Sequence, residues 1–196
     1  MIKPNPNRKI IVLTGGPGGG KTTLIDELCN NQLYKDKFVA LPEAVFYVLQ
    51  TRIPPKEKLF QRLMVEVQSA MENAIDAGFE RGKIILCHRG TLDPLAYWLN
   101  NGWEEKDFFQ FTQTIFNEHF NRYHAVIHLQ TAAANAVNEY KYYPDSHRNE
   151  NPEQAEQLDS LLAGVWKEHR NYYFIESFTE LEIKRKEFFK LINNIL

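Results

Sequence analysis

Short apolar runs alternate along this chain with longer segments in which apolar residues recur at helical spacing. Five of the runs have the length of a strand, and the run at residues 83–87 shows no alternation of polar and apolar positions, a pattern typical of parallel strands covered on both faces. These runs are residues 9–14, 37–42, 83–87, 125–130 and 172–175. Because helical segments separate them, the pattern predicts an α/β fold in which right-handed crossovers connect the strands of one parallel sheet.

The longest predicted helix covers residues 57–81, where apolar side chains from Leu59 to Ile75 form one face. Another helix is predicted after residue 20, and further helices are predicted over residues 43–50, 93–99, 104–120, 152–169 and 179–196. Residues 135–151 are polar and lack a clear period, so we expect a lid-like insertion over the site. The pattern thus predicts one domain over residues 1–196.

A glycine-rich segment directly follows the first predicted strand. It reads Gly-Gly-Pro-Gly-Gly-Gly-Lys-Thr-Thr and matches Gly-x-x-x-x-Gly-Lys-[Ser/Thr], the phosphate-loop motif. Glycine lets such a loop turn its backbone N–H groups towards a polyphosphate. The predicted nucleotide-binding residues are Gly15, Gly16, Pro17, Gly18, Gly19, Gly20, Lys21, Thr22 and Thr23.

Each chemical feature of the motif has an expected partner on a nucleoside triphosphate or its Mg²⁺ ion. We expect the ammonium of Lys21 on the β- and γ-phosphates and the hydroxyl of Thr22 on Mg²⁺. The helix that begins near Gly20 directs its positive end at the same anion. The motif therefore predicts the three-layer α/β/α phosphate-loop fold, with a five-stranded parallel sheet in the order 2-3-1-4-5.

Composition narrows the class of protein. The chain has 196 residues, of which 43% are hydrophobic and 24% charged, and this suits one globular domain. A formal net charge of -2 gives no field that attracts nucleic acid, so we predict no nucleic-acid partner. Cys29 and Cys87 lack metal-ligand spacing and are predicted to be core thiols in a reducing compartment. The sequence shows no apolar leader and no stretch of membrane-spanning length, which predicts a cytoplasmic protein without a membrane span.

Charged side chains follow the second and third predicted strands, at the edge where ligands bind to parallel sheets. Glu43 fits three roles: a general base on an acceptor hydroxyl, a ligand of Mg²⁺ through water, or a first-turn carboxylate that favours the helix dipole. Arg89 fits a clamp on a transferring or acceptor phosphate, and the alternative is an ion pair with Asp93 or Glu43. Asp93 is either the N-cap of the helix that Pro94 enters or a catalytic carboxylate.

Two further residues bear on catalysis. His88 stands where many phosphate-loop proteins carry an aspartate that holds Mg²⁺ through water, and a neutral imidazole is a poor ligand for that ion. Glu43 and Asp93 are the candidates to take over the role. Arg148 lies in the predicted lid, where it is either an arginine that closes on the triphosphate and stabilises charge in the transition state or a solvated loop residue.

The aromatic residues between Trp98 and Phe120 fall largely at helical intervals, so we expect them in the core rather than in a base-stacking platform. His119, His124 and His128 share no spacing typical of a metal site, and no chemistry is assigned to them.

The sequence resembles the small phosphate-loop ATPase or kinase-like domains grouped with nicotinamide riboside kinase domains and TRPL translocation defect type proteins. The resemblance spans most of the chain and is carried by residues 14–23, 42–46, 88–97 and 148–166. It implies that Glu43 and Arg89 face the acceptor, that Arg148 belongs to a lid, and that a loop near Ser177 and Phe178 flanks the base. His88 departs from the pattern, since kinases of this type usually carry Asp or Glu before the arginine.

The leading hypothesis is a kinase in which Mg²⁺-ATP donates its γ-phosphoryl group to a small nucleoside-like or nucleotide-like acceptor. Lys21, Arg89, Arg148 and Mg²⁺ would neutralise charge, and Glu43 or Asp93 would receive the acceptor proton. The alternatives are a nucleotide-dependent binding or regulatory module and a simple NTPase. No Asn-Lys-x-Asp guanine-binding motif is evident, which favours ATP without excluding GTP, and the sequence leaves the oligomeric state open.

Overall fold

A five-stranded parallel sheet runs through the molecule in the order β2-β3-β1-β4-β5. The computed structural model describes residues 8–78, 82–141 and 150–196. The strands are β1 Ile10–Thr14, β2 Phe38–Leu41, β3 Ile84–His88, β4 Ala125–Leu129 and β5 Tyr172–Ile175. The predicted strand order is therefore confirmed.

Helices and short turns connect the strands. The helices are α1 Lys21–Asn30, α2 Val45–Val48, α3 Lys58–Gly78, α4 Asp93–Asn100, α5 Glu105–Thr112, α6 Phe116–Phe120, α7 Ala132–Asn135, α8 Pro152–Trp166 and α9 Leu181–Ile195. Single 3₁₀ turns cover Leu49–Thr51 and Val137–Glu139. Among the described helices, none is long and apolar enough to cross a membrane.

Alternation along β1 divides the core into two layers. Ile10 and Val12 pack on one face of the sheet with apolar side chains of α4, α5 and α8, including Trp98 and Trp166. Ile11 and Leu13 pack on the other face with side chains of α1 and α9. This gives the three-layer α/β/α arrangement expected of the pattern.

The register of the strands brings the candidate residues to one edge. Leu13 pairs with His88 of β3, and Leu41 of β2 pairs with Cys87 of the same strand. Because β1, β2 and β3 are parallel and end at matching positions in this register, the segments that begin at Gly15, Glu43 and Arg89 all leave the sheet at its carboxyl edge.

The single helix predicted over residues 104–120 is wrong. Helix α5 ends at Thr112, Gln113 adopts a left-handed conformation with φ of 56°, and α6 begins at Phe116. The break allows a buried polar cluster to form, in which each ring nitrogen of His119 lies 2.9 Å from a hydroxyl, that of Thr91 or that of Thr114. A continuous helix would not place Thr114 against His119 in this way.

The aromatic residues of this region lie largely in the core, as predicted. The ring of Trp98 is fully buried and lies edge-on to Trp103 and Phe108, with centroid distances of 4.7 and 5.6 Å. Cys87 is buried as expected, whereas Cys29 is only half-buried.

The predicted lid is described only in part. Residues 135–141 include the end of α7 and the turn at Val137–Glu139, and residues 150–151 lead into α8. Arg148 lies outside the described residues.

Candidate functional site

The phosphate loop joins β1 to α1 in a conformation that its glycines permit. Gly15, Gly18 and Gly20 have φ of 120°, 73° and 84°, values that residues other than glycine rarely adopt. A Cβ on Gly15 would also lie 2.1 Å from the carbonyl oxygen of Leu129. The loop leads straight into the N-terminus of α1, whose free N–H groups and dipole favour an anion.

Lys21 folds back over the loop. Its Nζ donates hydrogen bonds to the carbonyl oxygens of Gly15 and Gly16, each at 2.8 Å. The ammonium therefore lies within the curve of the loop, where its charge is available to bound phosphates.

Asp159 of α8 anchors the loop from behind. Its Oδ1 accepts hydrogen bonds from the backbone N–H of Gly16 at 2.5 Å and of Thr131 at 3.2 Å, and lies 3.1 Å from Nε2 of His128. Burial alone would raise the pKa of Asp159, but the hydrogen bonds from His128 and the two backbone groups lower it overall. Thr131 makes a second contact that holds the loop, because its hydroxyl donates a hydrogen bond to the carbonyl oxygen of Pro17.

Thr22 faces His88 across the start of α1. The Thr22 Oγ1 atom lies 3.1 Å from His88 Nε2, and His88 Nδ1 lies 3.7 Å from Glu43 Oε1. Thr22 is exposed, whereas His88 and Glu43 are buried. Among the residues that the structure describes, no group of three or more His, Cys, Asp and Glu side chains is arranged to hold a metal ion.

Arg89 connects the phosphate loop with both nearby carboxylates. Its Nε donates to Glu43 Oε1 at 3.3 Å, and its Nη1 donates to Asp93 Oδ2 at 3.3 Å and to the carbonyl oxygen of Gly15 at 3.2 Å. Burial would lower the pKa of Arg89, but Tyr97 and the two carboxylates raise it far above its ordinary value. The residue has φ of 76°, a strained conformation for a side chain of this size.

The ring of Tyr97 forms one wall beside this guanidinium. The Arg89 Cζ lies 5.5 Å from the ring centroid, a cation–π distance. Burial raises the pKa of Tyr97 to about 12, while Arg89 opposes the shift. The phenol therefore stays protonated at neutral pH and can donate a hydrogen bond.

Asp93 is fully engaged by its neighbours. The residue is 1% exposed, Oδ2 accepts from Thr14 Oγ1 at 2.9 Å, and Oδ1 accepts from Trp166 Nε1 at 2.7 Å. The N-cap of α4 is Leu92, without a side-chain hydrogen bond. The N-cap role proposed for Asp93 is therefore wrong, since its carboxylate points into the core instead of capping the helix.

The structure thus brings Lys21, Thr22, Glu43, Arg89 and Asp93 together at one edge of the sheet, and His88 lies among them. Arg148 cannot be placed, since it lies outside the described residues.

Three residues of this region were assigned no role from the sequence. Asp159 anchors the loop, Trp166 bonds Asp93, and the ring of Tyr140 lies against the loop, 2.9 Å from where a Cβ on Gly18 would stand. The sequence could have pointed to Asp159, because it is an acidic residue on the apolar, buried face of α8. The contacts of Trp166 and Tyr140 have no counterpart in the local sequence.

Comparison with known proteins identifies the family of the chain. The model of an AAA domain family matches residues 10–183. The chain belongs to that family. No curated protein sequence matches this AAA domain.

Solved structures confirm the phosphate-loop kinase fold. Deoxyadenosine kinase from M. mycoides, with dCMP and dCDP bound, is similar with a TM-score of 0.64 and 17% identity, over 94% of this AAA domain and 99% of the kinase. The same kinase with dATP gives a TM-score of 0.63 and 17% identity over the same shares. NadR in complex with NAD and AMP-PNP gives a TM-score of 0.66 and 14% identity over 96% of this chain, which spans 49% of NadR. Together with the family match, these structures confirm the resemblance to a phosphate-loop kinase-like NTPase.

Proposed function

We propose that this AAA domain is a kinase that transfers the γ-phosphoryl group of Mg²⁺-ATP to a small nucleoside-like or nucleotide-like acceptor. The observation that carries the proposal is the position of Arg89. Its guanidinium bonds both the Gly15 carbonyl of the phosphate loop and the carboxylate of Glu43. A cation and a candidate base therefore lie together beside the loop, as transfer between a triphosphate and a hydroxyl requires.

The donor nucleotide would bind residues 15–23. Backbone N–H groups and Lys21 would hold its phosphates. The hydroxyl of Thr22, an exposed residue at the N-terminus of α1, fits Mg²⁺, which prefers hard oxygen ligands. Bound there with the nucleotide, Mg²⁺ supplies charge neutralisation on the transferring group.

Glu43 would accept the proton of the acceptor hydroxyl, and Arg89 would bind the phosphoryl oxygens. Glu43 comes two residues after β2, and Arg89 directly follows β3, so rigid strands fix both side chains. The contacts of Asp93 favour a positioning role, in which it holds Arg89 and leaves proton transfer to Glu43. Residues 135–151, with Arg148, would form a lid on the single domain of residues 1–196.

The acceptor class rests on the structural neighbours. The M. mycoides kinase holds deoxynucleotides, and NadR holds NAD with AMP-PNP. Proteins of the same fold that hold such molecules support a nucleoside-like or nucleotide-like acceptor here.

The test is consumption of ATP by the purified chain with Mg²⁺ and a panel of nucleosides and nucleotides. At least one acceptor is expected to accelerate ADP formation, and Lys21→Ala is expected to abolish nucleotide binding. Lys106→Ala, on a lysine whose side chain is 77% exposed, is the matched control. The kinase proposal fails if no acceptor accelerates ATP consumption.

A nucleotide-dependent binding module is the second candidate. The observation that favours it is His88, which occupies the position beside Thr22 without the negative charge of a carboxylate. Such a module would bind ATP or GTP and show no acceptor-dependent turnover in the same assay.

A further inference from the structure

The contact between His88 and Thr22 bears on how the site acquires its cation, and this inference rests on the proposed binding of a nucleoside triphosphate. His88 is 6% exposed and ends β3. Its Nε2 lies 3.1 Å from the Thr22 hydroxyl oxygen, which is a hydrogen-bond distance. The imidazole therefore fixes the direction of the Thr22 hydroxyl in the first turn of α1.

The chemistry of the two groups decides what this contact does. A hydroxyl has one hydrogen and two acceptor lone pairs. If Thr22 donates its hydrogen to Nε2, both lone pairs remain directed away from His88 and are available to a cation. The ring proton then lies on Nδ1, the nitrogen 3.7 Å from Glu43 Oε1.

The charges around Thr22 set the affinity for a free cation. Lys21 and Arg89 contribute two positive charges, and Glu43 and Asp93 contribute two negative charges, so the four side chains cancel formally. Both carboxylates also contact Arg89. A divalent ion without phosphates thus meets one neutral hydroxyl beside carboxylates that already contact Arg89, whereas an ion that carries a triphosphate brings its own anionic ligands.

We propose that His88 is a positioning residue: its ring orients the Thr22 hydroxyl through Nε2 without adding negative charge, so that the site takes up a divalent cation only together with a nucleoside triphosphate. An aspartate or glutamate at residue 88 would orient the same hydroxyl and also attract the free ion.

Electron paramagnetic resonance with Mn²⁺ tests this without any phosphotransfer. Wild-type protein alone is expected to leave the free Mn²⁺ signal unchanged, and wild-type protein with AMP-PNP is expected to lower it further than the same AMP-PNP does without protein. His88→Asp is expected to bind Mn²⁺ without nucleotide, at least about tenfold more tightly than wild type. His88→Gln offers an amide oxygen as acceptor and adds no negative charge, so it is expected to behave like wild type.

His88→Leu completes the comparison. The gain in AMP-PNP affinity that Mn²⁺ confers should fall at least about tenfold in this variant, because outer-sphere partners typically change metal affinity by that factor. His124→Leu is the matched control, since His124 precedes β4 at the opposite edge of the sheet. Circular dichroism and the unchanged affinity of His88→Leu for metal-free AMP-PNP verify folding.

Three results would overturn the proposal. They are nucleotide-free Mn²⁺ binding by wild type as tight as that of His88→Asp, an unchanged Mn²⁺ effect in His88→Leu, and failure of wild type to bind AMP-PNP. The last also refutes nucleotide binding. Normal Mn²⁺-AMP-PNP binding in a chain that phosphorylates no acceptor would refute only the kinase.

Discussion

The Nε atom of Arg89 lies 3.3 Å from the Oε1 atom of Glu43, and this ion pair joins the segments that leave β2 and β3. Both side chains are buried, and Arg89 also contacts Asp93 and the carbonyl oxygen of Gly15. The guanidinium is therefore part of a fixed arrangement that extends from the phosphate loop to the candidate base.

Arg89→Lys tests whether this geometry is needed. A lysine keeps the charge but lacks the planar fork that reaches Glu43, Asp93 and Gly15 together. We expect kcat/KM for the acceptor to fall about 100-fold, since misplaced catalytic groups have effects of this size, while nucleotide affinity changes little. Arg62→Lys, on the partly exposed pair with Glu66, is the control for the substitution. Equal kinetics in the two variants would contradict a role for the fork.

Asp93→Asn separates a positioning role from a role as base. The amide retains the shape of the side chain but weakens its bonds to Arg89, Trp166 and Thr14. We expect the free energy of unfolding in urea to fall by about 2 kcal/mol, because hydrogen bonds to charged groups contribute on this scale. Trp166→Phe removes one of the bonds and is expected to lower it by about 1 kcal/mol. Unchanged stability together with loss of a titration in the pH–rate profile would identify Asp93 as the base instead.

Stability at acid pH should depend on Asp159. Its pKa is lowered in the folded state, because bonds from His128, Gly16 and Thr131 outweigh the opposing effect of burial. Below about pH 4 the unfolded state then binds more protons, so the contribution of the carboxylate is lost as the pH falls through the folded pKa. Wild type is expected to be more stable than Asp159→Asn at pH 7, and the difference should shrink in acid. A difference that is constant down to pH 3 would contradict this.

His119 should cause a second dependence of folding stability on pH, over a wider pH range than Asp159 does. Burial, with a smaller contribution from Arg122, lowers its pKa from 6.5 to about 4. Between these values the unfolded state binds the proton and the folded state does not, so stability falls as the pH falls from 6.5 towards 4. The full effect is about 3 kcal/mol, at 1.36 kcal/mol per pKa unit. His119→Gln should show a flatter dependence in urea unfolding over this range, and the same slope in both proteins would refute the assignment.

The sequence predicts the strands and the phosphate loop because both depend on local pattern. Glycines at residues 15, 18 and 20 are required by the loop itself, and apolar runs identify strands that are buried on both faces. Glu43 and Arg89 could be placed from topology, since the ends of parallel strands share one edge.

The remaining features depend on contacts between distant segments. Gln113 adopts a left-handed conformation where Thr114 meets His119, and the periodicity of residues 104–120 contains no sign of this break. Asp93 had the residue type of an N-cap, but Trp166, 73 residues further on, determines its orientation. Arg148 lies outside the described residues, so its predicted place in the lid remains a prediction.

Phosphorus NMR of the purified chain with Mg²⁺-ATP and the acceptor panel tests the kinase most directly. The account predicts a new phosphoester resonance that grows in equal amount with ADP for at least one acceptor. Glu43→Gln should slow this transfer at least about 100-fold, because it removes the general base. Its affinity for the nucleotide should be largely retained. The control Glu118→Gln, on the exposed side of α6, should match wild type. ADP with inorganic phosphate alone, or no ADP with any acceptor, would contradict the account.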